Sequence, residues 1–164
     1  MPGAHTAGGT SVFDEEVAMS ATTVSTRRIV VGVDGSADAR RAVDWAIEEA
    51  RLRGWTLELV HGIDVGVAAA SPYGSGVVLE QLQDAGRQLL DDEVARVRAL
   101  GVEVAGSFDI GSAAYALIEA SRDAGLLVVG TRGHGGFHGL LLGSVSTACV
   151  HHAHCPVVVV PPER

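Results

Sequence analysis

Residues 28–36 read R-I-V-V-G-V-D-G-S. Arg28 to Val33 is a short apolar run rich in β-branched residues, too short for a helix, and predicts a buried strand. Ser36 stands where a helix N-cap belongs. Behind it Ala39, Ala42, Val43, Ala46, Ile47 and Ala50 recur at helical spacing, with Arg40, Arg41, Asp44, Glu48 and Glu49 turned outward. Gly54 supplies a stop. A strand that hands over to a helix within three residues is the unit from which the rest of the chain is built.

The alternation continues downstream. Thr56 to Ile63 predicts a second strand, and Asp64 to Gly76 a loop with Ser71-Pro72-Tyr73-Gly74 as its turn signal. A long helix is expected over 77–100, with Leu82, Ala85, Leu89, Val94 and Val97 on one face. Val102 to Ile110 is expected as a third strand, Ala113 to Arg122 as a third helix and Leu126 to Gly130 as a fourth strand. A glycine-rich loop, 131–143, leads to a short helix from Ser144 to about His152. Pro156 to Val160 is expected as the fifth strand, ended by Pro161 and Pro162. Alternating strands and helices with short connections predict an α/β fold, an open parallel sheet with helices on both faces. Such sheets bind ligands beyond the carboxyl ends of their strands, where strand order reverses. The strongest signals come after the first and fourth strands, so these two are expected to be neighbours.

Composition narrows the function. With 47% apolar and 20% charged residues in 164, the chain can bury a core, and no run is long enough to span a bilayer. Residues 1–26, rich in Gly, Ala, Ser and Thr and without arginine, are expected to form a flexible tail, leaving 27–164 as a single domain. The formal net charge of −8 argues against a nucleic-acid partner. All 12 basic residues are arginine, which excludes Schiff-base chemistry and the phosphate-gripping lysine of a P-loop. Two cysteines, Cys149 and Cys155, are too few for a disulfide framework; the expected compartment is cytoplasmic.

The chemistry lies after the fourth strand. Gly130-Thr131-Arg132-Gly133 is followed, nine residues on, by Gly143-Ser144-Val145-Ser146, which open a helix. A helix N-terminus presents unpaired amides and the positive end of a dipole, and so attracts anions. Glycines at both limbs let a phosphate reach the backbone, and the hydroxyls of Ser144 and Ser146 could donate to it. The bland alternative is a strand end, a loop turn and an N-cap. Arg132 suits bidentate pairing with phosphate. Asp34, at the poorly solvated end of a buried strand, needs a donor: a ligand amine or hydroxyl, or the helix it precedes. His134 and His138 read as solvated loop residues, and His151, His152, His154 and Cys155 lack the spacing of a metal site.

From about Arg28 to Val160 the chain resembles the universal stress protein family, in its ATP-binding branch. The resemblance rests on R-I-V-V-G-V-D-G-S, on Gly130-x-x-Gly133 followed after nine residues by Gly143-Ser144, and on the ending Cys155-Pro156-Val157-Val158-Val159-Val160. It implies a Rossmann-like sheet of five strands in order 3-2-1-4-5, with ATP in the crevice between strands one and four. Gly32, Val33 and Asp34 would line the adenosine end. Gly62 would face adenine, where family members often carry a larger apolar residue. Gly130, with Thr131 and Arg132 after it, would meet the ribose and nearby phosphate. Gly133, Gly143, Ser144 and Val145 would hold the triphosphate, with Ser146 close by and Mg²⁺ sharing the charge. The family also implies a homodimer through Val157–Val160. A regulator switched by nucleotide is the expected function. A slow ATPase, or autophosphorylation on Ser144 or Ser146, is the alternative enzyme reading, and a structural module without nucleotide is the third.

Overall fold

The structure is a computed structural model, which describes residues 27–64, 75–133 and 141–163. The expected tail, the 71–74 turn, His134 and His138 lie outside the described residues. The elements run in the order β1 (Arg28–Gly32), α1 (Ala37–Arg53), β2 (Thr56–Ile63), α2 (Ser75–Ala99), β3 (Val104–Ile110), α3 (Ala113–Ala120) running into a 3₁₀ turn (Ser121–Asp123), β4 (Leu126–Gly130), α4 (Ser144–His152) and β5 (Val157–Val160). The five strands form one sheet in the order β3-β2-β1-β4-β5, and every pairing is parallel. The expected fold class and strand order are therefore observed.

Each face of the sheet has its own core. On one face Ile29, Val31, Leu57, Leu59 and Val128 meet Ala42, Val43, Ala46 and Ile47 of α1 and Leu90 and Val97 of α2. On the other, Val30, Val60, Leu127 and Val129 meet Ala116 and Leu117 of α3 and Cys149 of α4. Successive strand residues point to opposite faces, so a strand buried on both sides must be apolar throughout. The stretch Ile29-Val30-Val31 is fully buried for that reason.

Helix ends obey the sequence signals. Ser36 Oγ accepts the Ala39 amide at 3.1 Å, capping α1. At its other end Gly54 takes a left-handed φ of 64°, and its amide returns to the Ala50 carbonyl. The buried face of α2 is centred on Leu90 and Val97, with Leu89 and Val94 beside it, whereas Leu82 is 40% exposed. Only the C-terminal half of that predicted stripe meets the sheet core. Of the two tryptophans, Trp55 packs against the core beneath the Arg53 guanidinium, while Trp45 stays part-exposed on α1.

At the end of β4 the backbone is pressed against α1. A Cβ on Gly130 would lie 2.8 Å from the Asp38 carbonyl carbon and 2.9 Å from its oxygen. Gly130→Ala must therefore push α1 off the sheet, and is expected to cost about 1–3 kcal/mol. Urea unfolding monitored by circular dichroism checks this, with an unchanged midpoint as the contrary result.

Candidate functional site

β1, β2 and β4 run the same way and finish at the same edge of the sheet. The segments that leave these three strand ends are thereby gathered around one crevice of about 600 Å³, within the range of small-molecule sites. Gly32, Val33 and Asp34 line it from β1, and Gly62 with Ile63 and Asp64 from β2. Gly130, Arg132 and Gly133 line it from β4, and Gly143, Ser144, Val145 and Ser146 from the start of α4. Thr131 is the exception among the expected ligand residues: it is buried, and its side chain turns away from the crevice toward α1.

The chemistry that the start of α4 can offer is set by the groups it uses up and the groups it leaves. The Gly143 amide donates to the Thr131 carbonyl at 2.8 Å. Ser146, only 3% exposed, sends its hydroxyl to the same carbonyl at 2.9 Å. It also lies 3.0 Å from the Gly143 carbonyl. The Ser146 hydroxyl, expected as a donor to phosphate, is thus committed with the Gly143 amide to the loop's own closure. The first helical bond of α4 is Thr147 amide to Gly143 carbonyl, at 2.9 Å, and the N-cap glycine offers no side-chain acceptor. The amides of Ser144, Val145 and Ser146 therefore have no acceptor within the helix, and they sit at its positive end.

Asp34 combines both roles read from the sequence. Gly35, at a φ of 80°, turns the chain so that the Ser36 amide reaches Asp34 Oδ1 at 2.9 Å. The other oxygen, Oδ2, occupies the place of a side chain on Gly133: a Cβ there would collide with it. The carboxylate thus spans from the β1 turn to the β4 limb. Gly62 also lines the crevice, but a Cβ on it would lie 2.7 Å from Ala113 Cα. Glycine at this position is what lets α3 come so close to β2.

Several lining residues carried little signal in the sequence. Val60, Leu117 and Val129 form an apolar wall, and Leu82 of α2 reaches the crevice from above. His61 is buried, and its Nδ1 lies 2.7 Å from the Val33 carbonyl. A carbonyl only accepts, so Nδ1 carries the proton. The ring rests on Phe108 with centroids 5.8 Å apart, and Gly86 leaves room for both rings. A lone histidine in an apolar strand resembles any core histidine until the Val33 carbonyl is seen opposite it.

Among the described residues no three His, Cys, Asp or Glu side chains gather as a metal site, and no helix is long and apolar enough to cross a membrane.

Comparison with known proteins identifies the family. The profile of the Universal stress protein family matches residues 25–161. The chain is 43% identical over 142 residues to the universal stress protein Rv2623 of Mycobacterium tuberculosis, covering 82% of this chain and 48% of that one. It thus spans about half the length of the curated relatives it matches. A universal stress family protein from Arabidopsis thaliana, solved with AMP bound, superposes with a TM-score of 0.59 at 25% identity, covering 83% and 92% of the two chains. The universal stress protein of Archaeoglobus fulgidus in complex with dAMP gives 0.59 at 26%, covering 81% and 96%.

Helix α4, whose start borders the crevice, also carries Cys149, which is fully buried; burial pushes its thiol up to about 11. Cys155 is raised in the same direction by burial but remains partly exposed. Roughly a thousandth of Cys149 is thiolate at pH 8. In the native protein iodoacetamide is expected to label Cys155 well before Cys149, and both at similar rates in denaturant. Mass spectrometry of the labelled peptides checks this; equal native rates would contradict the burial.

Proposed function

Because the chain belongs to the universal stress protein family, we propose that its crevice binds an adenine nucleotide, ATP in the first place, and that occupancy regulates a cytoplasmic partner during stress. The observation that carries this is the uncapped start of α4, opening on the crevice beside the ends of β1 and β4. Among the described residues, three main-chain amides there have no acceptor once Thr131 has taken the Gly143 amide and the Ser146 hydroxyl. The apolar wall of Val33, Val60, Leu117 and Val129 suits a purine, and Asp34 can accept from its amino group or from a ribose hydroxyl. AMP and dAMP in the two solved relatives support the ligand class.

Phosphate charge would be met by amides, by the Ser144 hydroxyl and by Arg132, without a lysine. Asp34 and Asp64 are the carboxylates lining the crevice. With Asp34 at the adenosine end, Asp64 would be the carboxylate to help hold a Mg²⁺ arriving on the triphosphate, since Mg²⁺ is commonly held by one or two carboxylates plus substrate phosphates. Its contribution would be to share the phosphate charge. Ser146 is poorly placed to accept a phosphoryl group, being buried with its proton held by carbonyls. That favours a binding protein over one that modifies itself at this residue.

Ser144→Pro tests the amide cradle. Proline is favoured at the first helical position, and Gly143 already has the extended backbone that must precede it. The fold should survive with one donor removed, and affinity for AMP or ATP should fall about tenfold beyond Ser144→Ala, read by isothermal titration. Equal affinity of the two variants would count against main-chain recognition. Nucleotide-free protein that takes up no added ATP in native mass spectrometry would overturn the reading altogether.

The same family reading proposes a homodimer through β5, an apolar edge strand bonded on one side only among the described residues. The Leu127 amide donates to the Pro156 carbonyl at 2.9 Å, and Leu127 pairs with Val157. In a parallel ladder this turns the backbone of Val158 toward β4 and that of Val157 and Val159 outward. Val159→Pro, which spares the internal ladder, is expected to give monomers in sedimentation velocity; an unchanged sedimentation coefficient would refute the edge pairing.

A further inference from the structure

We propose that Asp38 is a positioning residue for the phosphate end of the crevice, acting through Thr131 on the first turn of α4. The proposal rests on the nucleotide reading above and goes one step behind it.

Asp38 lies in the first turn of α1 and does not line the crevice. Its Oδ2 accepts the Thr131 hydroxyl at 2.7 Å, and its Oδ1 pairs with the Arg41 guanidinium. The carboxylate is 16% exposed and Thr131 is buried, so the bond is shielded from competing water. Thr131 is thereby held at both ends of one residue. Its hydroxyl reaches back to α1, and its carbonyl reaches forward to the Gly143 amide and the Ser146 hydroxyl.

One residue thus fastens α1 to α4. The spacing is set by the Gly130 backbone, which lies directly against that of Asp38. The three free amides of α4 are consequently aimed by a helix on the opposite face of the sheet. Amide hydrogen bonds weaken steeply with angle and distance, and a binding site tolerates only about 0.5 Å of looseness. Arg41 pairs with the Asp38 charge, and neither residue lines the crevice. The carboxylate can therefore hold Thr131 without presenting a bare negative charge to a phosphate.

A merely structural role is the competing account, because an acidic residue in the first turn favours any helix. That role changes stability without distinguishing ligands. The test uses the full chain and titrates AMP and adenosine into the wild type, Asp38→Ala, Thr131→Val and Thr131→Ser. The wild type should prefer AMP. That preference should fall about tenfold in Asp38→Ala and Thr131→Val, the scale of one charge-assisted hydrogen bond, and return in Thr131→Ser, which keeps the hydroxyl. If Asp38→Ala fails to fold, as read by circular dichroism, the Thr131 pair decides. Folded variants with the wild-type preference overturn the positioning role and leave the nucleotide reading standing. A wild type that binds neither ligand overturns the nucleotide reading and the positioning role together.

Discussion

The parallel pairing of β1 with β4, from Ile29 against Leu126 to Val31 against Val128, is the constraint on which the rest depends. Two strands separated by almost a hundred residues end side by side, and the chain leaves them toward opposite faces of the sheet. After β1 it rises into α1; after β4 it passes through Gly133 and returns as α4. A crevice opens wherever neighbouring strands send their chains apart, because no backbone crosses the gap. Everything that reads as chemistry in this protein borders that gap.

The glycines around the crevice have more than one reason to be glycine. Gly130 lets α1 sit on β4, Gly62 lets α3 sit on β2, and Gly133 makes room for the Asp34 carboxylate. Close packing of helices over strand ends and open access for a ligand are served by the same missing side chains. Gly143 differs. A Cβ there would meet its neighbours at 3.5 Å or more, an ordinary contact, so the fold alone does not demand glycine at that position.

For the proposed phosphate end of the crevice, the electrostatics are unusual in offering so little formal positive charge. The chain is acidic and carries no lysine. Among the described residues Arg132 is the one arginine lining the crevice. Partial charges on oriented amides cost no side-chain entropy on binding and need no long cation to be ordered. They work only if the helix that bears them is held still, which is why the bonds made by Thr131 matter as much as the amides themselves.

Much of this was legible in the residues alone. Apolar runs of strand length, helical spacing from Ala39 to Ala50, and glycine or proline punctuation were enough for the five strands and four helices, because these signals are local in the chain. The resemblance carried by the glycine motif and by the first and last strands extended them to the strand order. Assigning individual groups was harder. The sequence placed Thr131, Gly143 and Ser146 toward a ligand, whereas folding commits the two hydroxyls and the Gly143 amide to bonds among these residues and to Asp38. His61 and Leu117 gave no sign of bordering a crevice. Residue type and spacing report what a group is able to bond. Which partner it takes depends on distances between segments far apart in the chain, and those exist only once β1 and β4 lie together.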